Sequence, residues 1–352
     1  MKKSKFNLNL LVRDNIKRMI PYASARAEFK DVNDSMVYLD ANENPFETGL
    51  NRYPDPQQLT LKEVIATQKE MHLENIILGN GSDEILDLLF RAFCEPAKDN
   101  VITLPPTFGI YDVLANTNNV ENRKIVLNEN FQPDVDVILK KIDTNSKLIF
   151  ICSPNNPTGN TIEAERIMRL LRSFKGLVVI DEAYIDFSSH KSWLSKLNEF
   201  PNLVITQTLS KAYGLAGVRL GICYASKEII AVLNKIKLPY NINELSQQRA
   251  LERVLKINDI RNEINSILEE KEVLLKELLQ VNFIEKIYPS DANFILIKVD
   301  NASTRYEQLI KNGIVIRNRT TQTLLKNCLR ITVGTKIENE HLIKTLHLIS
   351  EY

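Results

Sequence analysis

Apolar residues in the first two thirds of this chain fall into short uninterrupted runs separated by amphipathic stretches. Ile76 to Leu78, Val101 to Leu104, residues 123–127, Leu148 to Cys152, Leu177 to Ile180, Leu203 to Thr206 and Leu220 to Ala225 read as strands buried on both faces. Between them, residues 57–70, 83–93, 108–116, 134–141 and 163–173 place apolar positions at helical spacing. This alternation predicts an α/β fold, a mainly parallel sheet covered by helices on both faces. Near the start, residues 7–18 predict an amphipathic helix and Val37 to Leu39 a strand. The pattern changes after Leu238. Residues 244–280 keep helical periodicity without a sustained heptad, which predicts a long packing helix rather than a coiled coil. Phe294 to Val299, Ile314 to Ile316 and Leu329 to Val333 read as strands, and residues 303–311 and those from 337 as helices. The expected division is an N-terminal arm (1–36), a large α/β domain (37–238) and a smaller α+β domain (239–352).

Composition narrows the function classes. A net charge of +1 leaves no basic field for nucleic acid or an anionic membrane, so neither is an expected partner. No apolar run is long enough to span a bilayer. Cys94, Cys152, Cys223 and Cys328 are far apart and without CxxC spacing, which suits reduced thiols in a cytoplasmic protein. None of the four histidines, His72, His190, His341 and His347, sits at metal-ligand spacing or beside a serine or cysteine motif. Neither a metal site nor a Ser-His-Asp triad is expected.

The candidate chemistry lies at strand ends. Thr208 and Ser210 flank the end of one apolar run, Lys211 follows, and Arg219 precedes the next. A lone lysine there would be an ordinary surface residue. Its company argues otherwise. Gly79-Asn80-Gly81-Ser82-Asp83-Glu84 joins a strand to a helix, where free N–H groups suit a phosphate, although the third glycine of a dinucleotide fingerprint is missing. Ser153 to Gly159 (SPNNPTG) follows another strand and carries Asn156; Asp181, Glu182 and Tyr184 close a third. A pyridine cofactor bearing an aldehyde, a phenolic oxygen and a phosphate requires an amine, a carboxylate for its ring nitrogen, donors for its phenolate, and cations with N–H groups for its phosphate. Lys211, Asp181, Asn156 with Tyr184, and Arg219 with the 81–83 turn supply that set.

These motifs resemble the fold type I pyridoxal-phosphate aminotransferases. PYASAR (21–26), YLDANENPF (38–46), NRYPDPQ (51–57), PPTFGIY (105–111) and CLRITVGT (328–335) resemble the histidinol-phosphate branch, and the likeness spans nearly the whole chain. The resemblance implies a large domain with a mainly parallel sheet, a smaller α+β domain, and pyridoxal 5'-phosphate held as a Schiff base on Lys211. It implies that Asp181 pairs with the ring nitrogen and that Asn156 and Tyr184 bond the phenolate oxygen. Gly81, Ser82, Asp83, Thr208, Ser210 and Arg219 would hold the cofactor phosphate, joined by Tyr53 from a partner subunit of a homodimer. Phe108 stands at the ring-stacking position, where many members have tyrosine. Arg330 and Arg317 would bind the substrate's phosphate or carboxylate, with Asn156 beside them and Tyr22 closing the pocket. The implied reaction moves an amino group between L-histidinol phosphate and 2-oxoglutarate, giving imidazole-acetol phosphate and L-glutamate in histidine biosynthesis. An aromatic amino-acid transaminase, a phosphothreonine decarboxylase on the same scaffold, and a non-enzymatic regulator built on it are the alternatives.

Overall fold

The computed structural model describes residues 6–22 and 36–350. Most of the motif at 21–26 and the join between the N-terminal arm and the large unit lie outside the described residues. Seven strands build the larger sheet: β1 (Ile76–Asn80), β2 (Asn100–Thr103), β3 (Glu121–Lys124), β4 (Ser146–Cys152), β5 (Leu177–Asp181), β6 (Leu203–Thr208) and β7 (Leu220–Ala225). Their order is β1-β7-β6-β5-β4-β2-β3. From β3 to β6 every neighbouring pair is parallel; β7 runs antiparallel to both β6 and β1.

Side-chain alternation explains why the central runs are mostly apolar; the edge strand β3, expected as a buried run over residues 123–127, forms instead over the polar, half-exposed Glu121–Lys124. Ile149, Ile151, Val178, Ile180 and Ile205 face one core, while Leu148, Phe150, Leu177, Val179 and Val204 face a second across the sheet. The covering helices are α2 (Leu59–Lys69), α3 (Gly81–Phe93), α4 (Ile110–Thr117), α5 (Val135–Lys141), α6 (Ala164–Ser173) and α7 (Lys227–Ile236), after a short α1 (Asp14–Arg18). Two further helices follow, α8 (Glu244–Val254) and the longer α9 (Ile257–Leu278). The second sheet is antiparallel, with β8 (Ile284–Ile287), β9 (Phe294–Val299), β10 (Arg317–Asn318) and β11 (Cys328–Thr332) in the order β10-β11-β9-β8. Helices α10 (Ala302–Lys311) and α11 (Lys336–Ser350) complete this unit. Ile295, Ile297 and Val299 point into its own core, whereas Phe294 and Leu296 join the core of the large sheet. Strand β9 is therefore shared between the two units. Among the described residues no helix is long and apolar enough to cross a membrane.

Several expectations are corrected. The helix over 7–18 is broken into a 3-10 turn (Leu8–Leu10) and α1, because Arg13 gives its N–H to the carbonyl of Ala92 instead of continuing the helix. Val37 to Leu39 forms no strand, and Val37 and Leu39 are exposed. The long helix over 244–280 divides at Leu255 and Lys256. There the carbonyl of Val254 accepts from the Gln68 amide, and the Arg253 side chain donates to the carbonyl of Tyr213, so tertiary bonds bend the chain. Pairing opposite β11 begins at Arg317 rather than Ile314. Helix α7 and strand β8 were not foreseen.

Candidate active site

The parallel strands deliver their C-terminal ends to one edge of the sheet, where open α/β folds bind ligands. Asp181 is the last residue of β5, Thr208 the last of β6, and Asn156 follows β4. Strand β1 runs in the same direction and hands over directly to α3 at Gly81. These ends, the β6–β7 loop and the edge of the small sheet enclose a cavity of about 620 Å³. Its walls include Ser82, Asp83, Phe108, Asn156, Asp181, Tyr184, Thr208, Ser210, Lys211, Arg219, Arg317 and Arg330. The structure thus brings together residues drawn from seven separate segments of the chain.

Close approach of β7 to α3 shapes the floor. A Cβ on Gly221 would lie 2.3 Å from the amide nitrogen of Ser82, so only glycine fits. Gly81 has φ +78°, and a Cβ there would sit 2.7 Å from a guanidinium nitrogen of Arg219. Arg219 itself has φ +58°, and its carbonyl accepts from the Gly81 N–H at 2.8 Å. Its side chain ion-pairs with Asp83 at 3.2 Å. Thr208 and Ser210 are 3.0 Å apart, hydroxyl to hydroxyl. A helix start, two hydroxyls and a guanidinium therefore share one corner, a donor set suited to a phosphate.

Deeper in the cavity, Asp181 is buried and forms no ion pair among the described residues. It accepts from the phenol of Tyr111 at 2.7 Å and from the Ala183 N–H at 3.2 Å. Burial raises its pKa, and those donors oppose the rise. The Tyr111 phenol is pushed up by burial and by the nearby carboxylate. Glu182, itself buried, has a structural task, accepting from Ser192, the Trp193 N–H and Gln207. Lys211 Nζ lies 5.6 Å from the centre of the Tyr184 ring. Partial burial, then the positive charge of Arg330, lowers the lysine pKa, while Asp181 opposes the shift. Burial raises the Tyr184 pKa.

On the opposite wall Arg330 donates to the amide oxygen of Asn156, and its guanidinium carbon lies 5.0 Å from the Phe294 ring centre. Arg317 is its direct cross-strand partner. Arg319 and Gln322 also line this wall. Sequence reading missed both, as it missed Tyr111. Asn155 was passed over too. It donates to the Pro106 carbonyl at 2.9 Å and accepts from Thr107 at 2.9 Å, bracing the loop of Asn156 against that of Phe108.

Two residues lie elsewhere. Tyr22 is 76% exposed and Tyr53 is 51% exposed; neither lines the cavity of its own chain. The Tyr53 ring stacks on Tyr240, with centres 4.4 Å apart, in a separate surface groove. All four cysteines are buried and unbridged, and no group of three or more metal-ligating side chains occurs among the described residues.

Comparison with known proteins agrees with this geometry. Residues 34–346 match the family model described as aminotransferase class I and II. A histidinol-phosphate aminotransferase of Flavobacterium johnsoniae is 63% identical over 346 residues, covering 98% of this chain and 99% of its own. One from Parabacteroides distasonis is 50% identical, covering 97% and 98%. The crystal structure of the histidinol-phosphate aminotransferase from Clostridium acetobutylicum superposes with a TM-score of 0.79 at 26% identity, over 86% of this chain and 92% of that one. On matches of this extent, the chain belongs to the class I and II aminotransferase family, alongside the histidinol-phosphate aminotransferases.

Proposed function

We propose that this protein is a homodimeric transaminase that exchanges an amino group between L-histidinol phosphate and 2-oxoglutarate, by a ping-pong cycle in histidine biosynthesis. The observation that carries the reading is the cavity itself. Lys211 and the buried, cation-free Asp181 stand on one side, and an arginine wall stands on the other.

The donor set fits pyridoxal phosphate. Asp181 is a buried acceptor whose carboxylate matches a protonated ring nitrogen, and the corner of Ser82, Thr208, Ser210 and Arg219 matches a phosphate. When bound, that cofactor supplies an aldehyde for amines and a ring that accepts electrons from the substrate carbon. Lys211 would hold it covalently. The amine of Lys211, once released, would take the proton from the substrate carbon that carries the nitrogen and deliver it to the cofactor's former aldehyde carbon. Asp181 keeps a proton on the ring side, and Tyr111 holds that carboxylate in place. Asn156 and Tyr184 would donate to the phenolate oxygen, and Phe108 would cover the ring face. Gly81 lets the chain pass close to Arg219, and Asp83 contributes its N–H and orients the guanidinium. Arg330 and Arg317 would grip the phosphate of one substrate and a carboxylate of the other, since a planar guanidinium suits both. Tyr53 would reach the phosphate corner of the neighbouring subunit, and Tyr22 would close over the substrate. Four buried, unbridged thiols support a cytoplasmic location.

Rapid-mixing absorbance of the purified holoenzyme tests the reading. Histidinol phosphate converts the yellow form, 2-oxoglutarate restores it, and Lys211→Ala abolishes the cycle. A higher kcat/KM for phenylalanine than for histidinol phosphate, or release of carbon dioxide, refutes the substrate assignment.

A further inference from the structure

Three guanidiniums share the substrate wall, one more than the resemblance to other aminotransferases assigns. Arg317 and Arg330 face each other across the β10–β11 ladder, where like charges repel. Arg319 stands two residues beyond Arg317, and two-residue spacing in a strand returns a side chain to the same face. Its N–H donates to the Cys328 carbonyl at 2.9 Å, so the strand pairing extends through it. The Nε atoms of Arg319 and Arg330 and the Oε1 of Gln322 are all buried, line this cavity and have no hydrogen-bond partner. Other sheltered arginines of the protein are neutralised, Arg13 by Glu95, Arg253 by Glu263 and Arg305 by Asp300. Among the described residues none of Arg317, Arg319 and Arg330 forms an ion pair. The repulsion and the burial pull the Arg319 pKa down to about 10, with burial the larger cause.

A fold that gathers three cations without a carboxylate, two of them (Arg319 and Arg330) partly desolvated, lowers its own stability unless an anion is the intended counterpart. The anion must carry more than one charge. A carboxylate offers one charge and two oxygens, which a single bidentate arginine satisfies. A phosphate monoester carries nearly two charges at neutral pH and three free oxygens.

We infer that Arg319 is a specificity-determining residue that completes the receptor for a phosphomonoester dianion and so separates the phosphorylated substrate from glutamate. The inference rests on the substrate reading above and adds the residue that enforces it. Arg317 and Arg330 serve both substrates in turn. Arg319 engages only the one whose anion is larger and more highly charged.

The test uses the holoenzyme and its Arg319→Gln and Arg319→Lys variants. The two half-reactions are followed separately, with histidinol phosphate and with glutamate as amino donors. Arg319→Gln lowers the ratio of the two kcat/KM values about 30-fold against the phosphorylated donor, the scale of one lost charge-assisted contact. The loss appears mainly in KM. Arg319→Lys recovers part of it, since charge returns without the planar fork. Inorganic phosphate, a competitive inhibitor of the wild type, inhibits Arg319→Gln more weakly. The melting temperature of that variant does not fall, because no protein partner is lost. A ratio within about 3-fold of wild type, or an equal loss on both donors with a lower melting temperature, overturns the assignment. A wild type idle on histidinol phosphate overturns the substrate reading instead. In that case inorganic phosphate decides for Arg319, and inhibition equal in wild type and Arg319→Gln refutes it.

Discussion

A lysine amine attacks a carbonyl only in its neutral form, so the charges around Lys211 set its usefulness. Partial burial lowers its pKa first, the guanidiniums of Arg330 and Arg219 act in the same direction, and Asp181 opposes them. A depressed pKa means more neutral amine at any pH below the ordinary lysine value of 10.5. Cofactor-free protein should therefore capture pyridoxal phosphate with a pH midpoint below that of an exposed lysine, and Arg330→Gln should move that midpoint upward. Stopped-flow absorbance across pH measures both, and an unmoved or lower midpoint in the variant would count against this account. At this scale the sequence was readable wherever a polar residue ends an apolar run. Lys211, Asp181 and Asn156 announce themselves in that way, and Arg219 does so by standing just before the next run. Tyr111 does not, because an aromatic inside a helical pattern looks like core. It is core, except for the phenol it turns to Asp181. Arg319 hides for the opposite reason. A basic residue beyond a strand end looks solvated until β11 and the large domain close over it.

Among the elements, β7 sets the dimensions of the phosphate corner. It passes so near the start of α3 that Gly221 has no room for a methyl group beside the Ser82 nitrogen. Gly221→Ala should cost about 1–3 kcal/mol in denaturant unfolding and weaken cofactor binding, since relief requires the helix start to shift. Gly217→Ala, in the loop that leads into β7 and with nothing within 4 Å of its added methyl, is the control; it should change stability by less than about 0.5 kcal/mol. Equal effects of the two substitutions would show that the close approach is not limiting. The central strands of the large sheet were legible because burial on both faces keeps their first residues continuously apolar, as in Leu177–Ile180 of β5 and Leu203–Ile205 of β6, whereas the polar edge strand β3 showed no such run. What local pattern could not show was where tertiary bonds override it. The division between α8 and α9 depends on Gln68, far away in sequence. Strand β8 has half-exposed residues and charged ones, so it shows no apolar run at all.

For the molecule as a whole, the surface around Tyr53 carries a group of exposed apolar side chains, and its consequence under the proposed function is a dimer. Leu50, Tyr53 and Leu245 are exposed and line one groove with Tyr240, and Val37, Leu39 and Phe46 are exposed in the same N-terminal region. Apolar surface of this kind marks an interface, and a second copy of the chain would bring Tyr53 to its neighbour's cavity. Sedimentation should give twice the chain mass. Leu50→Glu combined with Leu245→Glu should shift the protein to monomer and reduce cofactor affinity together; a monomer with undiminished affinity would show that the site is complete within one chain. The two walls of the cavity also differ in how freely they can change. Lys211 and Arg219 hang from β6 and β7, interior strands bonded on both sides, and one inserted residue there would throw every side chain of the hairpin to the wrong face. Arg317 belongs to β10, a two-residue strand at the border of the small sheet, free along its outer side, and Arg319 lies just past its end. Substitutions and length changes can accumulate at that border while the reactive lysine keeps its position. A lineage could therefore acquire a new amine donor by altering the rim and still inherit the reaction unchanged.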